Sequence, residues 1–315
     1  MFNKIKIATR ILKTKGYRAL LIELIAYFYR HYIRKFTPTI GNAEYAMAIT
    51  HDAIIVEEGE RGPFDRDKKL FDKFFPSFYS VNPKRELGLR LAHIALTRMG
   101  DHVVIIGGGE GLSAITAAQQ VGKNGSLTIY DGLIGEENVF GTTKIERNLE
   151  LNGISHIWKI HQGFVTTRKS DIINKKINFN KVANNPQPPI IHPTELPECD
   201  VLETDCNGAE LLILQNMNIR PRALIIELEA PFYKEFFNNG EHPRDVLSLI
   251  NDIGYTIVKQ TGHEGIPINY DELLQLIDIQ YETGKKQKLE NGAKDSPIVY
   301  AVRNDYSKLL RDRIA

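Results

Sequence analysis

The sequence predicts an α/β fold: a seven-stranded, mostly parallel sheet with helices on both faces. Three observations predict it. The stretch 103–131 reads as strand, glycine turn, helix, strand and acid. Val103-Val104-Ile105-Ile106 runs into Gly107-Gly108-Gly109-Glu110-Gly111, a helix-like segment covers 112–121, and Ser126-Leu127-Thr128-Ile129-Tyr130 is closed by Asp131. Strand and helix patterns alternate again further along the chain. Most of the strands are unbroken apolar runs, as strands buried on both faces read, and not runs of alternating polarity.

A chain of 315 residues can bury one large core or carry one domain with a substantial extension. Its hydrophobic content of 42% and charged content of 25% are those of an ordinary globular protein, which excludes a disordered or fibrous class. The net charge of +1 hides an asymmetry. Residues 1–36 hold nine Lys and Arg against Glu23 alone, a charge of +8, which leaves −7 for the rest. No basic stripe with interleaved aromatics follows in the body, so nucleic acid is not an expected partner. Cys199 and Cys206 are too few for a disulfide framework or a zinc site, and they point to a reducing, intracellular compartment. The most apolar stretch, 19–29, contains Glu23 and falls short of the roughly 20 residues that span a bilayer. No cleavage-site pattern lies near Met1. The expected location is cytoplasmic, with peripheral membrane contact through the arm as one reading.

That arm, residues 1–36, reads as one or two helices broken near Gly16. Leu20, Leu21, Leu24, Ile25, Phe28 and Tyr32 form a helical stripe bordered by Arg18, Arg30 and Arg34. It suits an anionic membrane surface, or packing on its own domain or a second subunit. Residues 37–85 read as a hairpin and loop extension, followed by a helix over 86–99 ended by Gly100-Asp101. After Asp131 come a helix over 137–151, stopped by Asn152-Gly153, and a strand over 156–161. Residues 166–199 show no period and hold five prolines, the mark of a lid or flexible insert. Strands are then expected over 201–205, 223–228, 255–259 and 297–302, with helices over 209–216, 243–253 and 270–279. The main domain is 86–304, and 305–315 is a tail.

Glycines after a strand let a ligand approach the backbone, and the following helix N-terminus favours a negative group. Gly107-x-Gly109-x-Gly111 has the spacing used for S-adenosylmethionine, with Glu110 inside the turn. A dinucleotide spacing is also present at Gly109, Gly111 and Ala114 if two extra residues follow the strand. Asp131 at its strand end suits a ribose hydroxyl in either case. Asp205 ends the strand over 201–205, with Glu203 on the same face, while Glu227 and Glu229 share a face of the next strand. Charges in central strands are costly unless paired or used, so these four acids are candidate functional carboxylates, Asp205 and Glu227 first among them. Such a cluster could also take a divalent cation, but no neighbouring Asp-Asn or His pattern supports one and no metal is assigned. His161 and His192 are candidate bases. Pro231-Phe232-Tyr233 and Phe236-Phe237 are candidate walls of an acceptor pocket.

From Asp205 through Asn207-Gly208-Ala209-Glu210 the chain resembles the FkbM-type family of S-adenosylmethionine-dependent methyltransferases, which carries an aspartate followed by a Glu-Gly-x-Glu turn. The resemblance extends to the stretch 105–111, the Asn148-Leu149-x-Leu151-Asn152 helix end and Ile225-Ile226-Glu227, and covers about residues 84–303. It implies a class I methyltransferase (Rossmann-like) sheet of order 3-2-1-4-5-7-6 with its last strand antiparallel. It implies S-adenosyl-L-methionine as cofactor, bound at Gly107, Gly109, Glu110, Gly111, Asp131 and Asp205, with Gln162 and Gly163 beside the adenine. It implies methylation of a hydroxyl on a glycan, lipid-linked sugar or small metabolite, for which the costly strand-end acids Asp205 and Glu227 are the candidate catalytic carboxylates. The chain departs from the family pattern at Ile105, where an acid often stands, and at Asn207 in place of Glu. Two other readings stay open: an NAD(P)-dependent oxidoreductase on the dinucleotide spacing, and a cofactor-binding or scaffold protein without catalysis.

Overall fold

A computed structural model describes residues 17, 86–109, 111–132, 144–154, 157–167, 189–206, 208–231, 233, 241–285, 289 and 296–306. The basic arm (apart from residue 17), the 37–85 extension, Glu110, Asn207, Phe232, Phe236, Phe237 and the tail from 307 lie outside the described residues.

Seven strands form one sheet: β1 (His102–Ile106), β2 (Ser126–Asp131), β3 (Trp158–Gln162), β4 (Val201–Thr204), β5 (Ala223–Glu227), β6 (Tyr255–Thr261) and β7 (Ile298–Arg303). In space they run 3-2-1-4-5-7-6. β1 pairs in parallel with β2 and β4, β2 with β3, and β4 with β5, whereas β7 is antiparallel to both β5 and β6. This is the order that the resemblance implied, and the fold is the class I methyltransferase-type Rossmann-like sheet. A parallel sheet needs a crossover between neighbouring strands, and helices α1 (Leu87–Leu96), α2 (Leu112–Val121), α3 (Lys144–Leu151), α4 (Glu210–Asn216), α5 (Pro243–Asp252) and α6 (Tyr270–Thr283) flank its strands.

Side chains alternate along β1 and divide the core in two. Val103 and Ile105 join Leu89, Leu96, Leu112, Ile115, Ile145 and Leu149 under α1, α2 and α3. Val104 and Ile106 join Leu211, Ile213, Val246, Ile250, Leu273 and Ile277 under α4, α5 and α6. All four β1 residues from Val103 to Ile106 are buried, which is why their run is continuously apolar. The amino ends of the strands are tied shut: Arg222 donates to Asp101 Oδ2 at 2.5 Å and to the Leu96 carbonyl at 3.0 Å. The carboxyl ends are where loops are free to carry chemistry.

Several boundaries differ from expectation for local reasons. α1 stops at Leu96, short of 99, because Thr97 turns extended and its hydroxyl bonds His93 Nδ1 at 2.9 Å. β6 runs to Thr261, past 259, because a register shift between Ile257 and Lys259 breaks the alternation that marks its length. α6 continues to Thr283, where Gly284 ends it in the left-handed region. Within the stretch read as without period, Ile190–Ile191 pairs in parallel with Phe164–Val165, and Pro193–Glu195 forms a single 3-10 turn. Residues 168–188 of that stretch are outside the described set.

Candidate functional site

The site begins where β1 parts from its neighbours: β2 and β4 leave it in opposite directions, the switch point at which open α/β sheets bind ligands. Gly107 carries on the ladder through its N–H to the Tyr130 carbonyl at 2.8 Å. Its φ is +90°, and a Cβ there would stand 1.6 Å from the Asp205 carbonyl oxygen, so β4's end itself demands glycine. Gly111 packs against Ile145 of α3. Gly109, at φ +52°, has no atom within 4 Å of where a Cβ would be among the described residues. Of the three predicted cradle glycines, Gly109 is therefore the one whose missing side chain leaves open space. α2 begins at Leu112 with Gly111 as its N-cap and no side-chain cap among the described residues, which leaves its N-terminus suited to a polar ligand.

Asp131 sits buried at the end of β2 and braces the turn, accepting the Gly109 N–H through Oδ2 at 2.8 Å. Gln162, its register partner at the end of β3, is exposed. Gly163 is buried, and a Cβ there would meet Ile191 Cδ1 at 2.6 Å, so the short strand pair packs over it.

Across the switch point stand the acids. Asp205 follows β4 and is half-buried. Burial first, then the charges of Glu227, Glu229, Glu86 and Glu203, push its carboxyl well above the usual range. Glu227 closes β5 at 1% exposure and meets His263 Nδ1 through Oε1 at 3.1 Å. Glu229 Oε1 accepts the Ser296 hydroxyl at 3.2 Å.

Glu203 is different. It is fully buried, accepts the Ser113 hydroxyl at 2.7 Å through Oε1 and contacts His93 Nε2 through Oε2. His93 Nδ1 continues to Thr97, so one chain of polar groups joins α1, β4 and the first turn of α2 beneath the glycine turn. Glu203 is the register partner of Ile105. The acid that the resemblance expects at Ile105 thus has a counterpart one strand across, on the same face.

Glu210 braces the backbone on either side of position 207. Its Oε1 takes the N–H groups of Cys206 at 3.3 Å and Gly208 at 3.1 Å, and its Oε2 takes the Tyr233 hydroxyl at 2.8 Å. Burial raises the Glu210 carboxyl, and these hydrogen bonds oppose the rise. Tyr233 is consequently core, not the wall of an acceptor pocket. The two candidate bases also have structural surroundings: His161 stacks on Tyr130 with ring centroids 5.1 Å apart, and His192 caps the 3-10 turn by accepting the Thr194 N–H.

The histidines beside the acids, His93 and His263, were not singled out from the sequence. His263 had a signal: it lies between Gly262 and Gly265 after β6, on the same side of the sheet as the other carboxyl-end loops. His93 had none, since its partner is 110 residues away. Among the described residues, no group of three His, Cys, Asp or Glu is arranged for a metal ion, and no helix is long and apolar enough to cross a membrane.

No protein-family model matches the chain, and no curated protein matches it. Among solved structures it is similar to the O-methyltransferase TomG from Streptomyces achromogenes, involved in tomaymycin synthesis and in complex with SAM. That match has 12% identity, covers 84% of this chain and 90% of that one, and has a TM-score of 0.37. It is also similar to an O-methyltransferase from Bacillus cereus in complex with SAH, at 13% identity, 71% and 82% coverage and a TM-score of 0.36. A third is Aeropyrum pernix fibrillarin with natively bound S-adenosyl-L-methionine, at 12% identity, 69% and 74% coverage and a TM-score of 0.37.

Proposed function

We propose that this chain is an S-adenosylmethionine-dependent methyltransferase acting on a hydroxyl oxygen. The observation that carries the reading is the pairing of an open glycine turn at the end of β1 with Asp205 at the adjoining end of β4, whose carboxyl feels Glu227 at the end of β5. The residues fit the cofactor. Gly109 leaves open space beside the turn that a ligand could enter, α2 offers uncapped N–H groups, and Asp131 holds the turn in shape while standing where a ribose would be read. Gln162 and Gly163 at the end of β3 are assigned to the adenine side, and Glu110 to the turn. The cofactor supplies a methyl group already activated by the sulfonium charge.

The protein's own work is positioning and proton management. The carboxylates oppose negative charge and favour positive charge at the ends of β4 and β5. The hydrogen bond from His263 to Oε1 holds Glu227 for proton abstraction, with Asp205 as its neighbour. Holding donor and acceptor in line contributes more than any single residue. The acceptor class we assign is a glycan, a lipid-linked sugar or a small hydroxylated metabolite. The basic arm is assigned to an anionic membrane surface.

Incubation with methyl-labelled S-adenosylmethionine and a pool of neutral glycosides tests this. Label is expected in a base-stable ether product. Label that never exceeds the level given by a Glu227→Gln protein, in the presence of bound cofactor, contradicts the catalytic reading.

A further inference from the structure

Glu227 carries a feature that its neighbours do not explain. Its side chain is 2% exposed, Oε1 is bonded to His263, and Oε2 has no hydrogen-bonding partner among the described residues. A buried carboxylate oxygen left without a donor is costly, so such an atom persists where a ligand supplies the hydrogen.

The state of His263 follows from its second contact. Its Nε2 accepts the Glu86 backbone N–H at 3.1 Å. A backbone N–H only donates, so Nε2 carries a lone pair and the proton sits on Nδ1, which donates to Glu227 Oε1. This imidazole has no lone pair to offer a substrate. It orients Glu227 and leaves Oε2 as the open acceptor. The backbone of His263 also accepts the Gly88 N–H at 3.0 Å, so both ends of the residue clamp the start of α1. Glu86, held at φ +50°, is the one non-glycine described in the left-handed region, and strain of this kind collects where a site is preorganised. The charges acting most strongly on Asp205 come from Glu227, Glu229, Glu86 and Glu203, all acids. A phosphate or carboxylate placed among them would be repelled.

We propose that Glu227 Oε2 accepts the hydrogen bond of the methyl acceptor, a neutral hydroxyl with no anionic group beside it, and that His263 is the positioning residue for that contact. The proposal rests on the methyltransferase reading. In the step, the hydroxyl oxygen forms a bond to the methyl carbon, the carbon–sulfur bond breaks with its electron pair passing to sulfur, and the hydroxyl proton passes to Glu227 Oε2. Solvent takes that proton after product leaves.

Two measurements on the full chain test it. In the first, nitrogen-15 NMR of labelled histidine, with His263 assigned by its loss in His263→Asn, is expected to show a proton on Nδ1 and a bare Nε2 at neutral pH. An imidazolium, or a proton on Nε2, overturns the positioning role. In the second, methyl transfer is followed with methyl glucoside and glycerol as neutral probes, and with glucose 6-phosphate and glucuronate as charged ones. Label is expected in neutral probes first. Glu227→Gln should lower kcat by about 100-fold or more and His263→Ala by roughly 10-fold, each with KM nearly unchanged. His263→Asn, whose amide restores a donor to Glu227, should recover most of the His263→Ala loss. Preference for the charged probes, no label in a neutral one, or a Glu227→Gln protein within threefold of wild type overturns the acceptor assignment. S-adenosylhomocysteine affinity, measured on the same proteins, separates the two failures: intact binding confines the failure to this inference, and absent binding places it in the methyltransferase reading.

Discussion

Replacing Gly107 and Gly109 by alanine, one at a time, separates the two jobs of the glycine turn. At Gly107 the new Cβ would lie 1.6 Å from the Asp205 carbonyl oxygen and 2.6 Å from its carbon. Asp205 cannot recede, because its N–H is bonded to the Ile106 carbonyl at 2.8 Å and extends the β1–β4 ladder. The clash falls on backbone at a φ of +90°, and the expected cost is on the order of 4 kcal/mol or more. At Gly109 nothing among the described residues lies within 4 Å of the new Cβ and φ is +52°, so only the left-handed penalty of roughly 1–2 kcal/mol applies. For a domain of this size, each kcal/mol shifts Tm by about 2–4 °C, which puts Gly109→Ala about 2–8 °C below wild type. Its methyl, however, occupies the space assigned to cofactor, and S-adenosylhomocysteine affinity is expected to fall at least ~10-fold, or ~1.4 kcal/mol. Thermal unfolding and calorimetric titration read the two effects separately. A Gly109→Ala protein that binds like wild type refutes the assignment of the open face. A Gly107→Ala protein no less stable than Gly109→Ala refutes the crowding argument.

The remaining predictions concern charge, the buried chain and the arm. Asp205 has its folded-state pKa raised above the unfolded value of about 3.9, by burial and then by Glu227, Glu229, Glu86 and Glu203. Its contribution to stability is thus full below that unfolded value and is lost as pH rises through the folded one. Asp205→Asn is expected to exceed wild type in Tm at pH 8, with the gap closing toward pH 4; a gap independent of pH contradicts the assigned cause. Ser113→Ala leaves Glu203 Oε1 without its donor and should cost about 1–3 kcal/mol in chemical denaturation while changing cofactor affinity less than threefold. Lost binding at unchanged stability would give Glu203 a ligand role instead. Deleting residues 1–36 removes a charge of +8 and is expected to abolish sedimentation with anionic vesicles while sparing cofactor binding. Equal sedimentation of both proteins removes the membrane assignment.

The sheet was legible because its central strands β1 and β5 write themselves as unbroken apolar runs. Val103 to Ile106 and Ala223 to Ile226 are buried on both faces, so nothing polar interrupts them, and glycine turns punctuate the run after β1. The resemblance carried by Asp205 to Glu210 supplied the strand order, which spacing alone does not encode. The two-residue pairing of Ile190–Ile191 with Phe164–Val165 was not legible, since two residues have no period. The site was legible only as a set of strand ends. Asp131, Asp205 and Glu227 declare themselves as acids closing apolar runs. Their partners lie far along the chain: Glu203 with His93 and Ser113, and Glu227 with His263, are separated by 110, 90 and 36 residues. Glu203 and Asp205 look alike in sequence, two residues apart on one face, yet packing makes the first a structural tie and leaves the second beside the open turn.

The most direct measurement is calorimetric titration of the full chain with S-adenosylhomocysteine, beside NAD+ and NADP+. Micromolar or tighter binding of S-adenosylhomocysteine is expected, with no heat from either dinucleotide. Asp131→Ala, which also frees the Gly109 N–H, should weaken that binding at least ~10-fold, or ~1.4 kcal/mol. Tight binding of NAD+ or NADP+ with no response to S-adenosylhomocysteine contradicts the account.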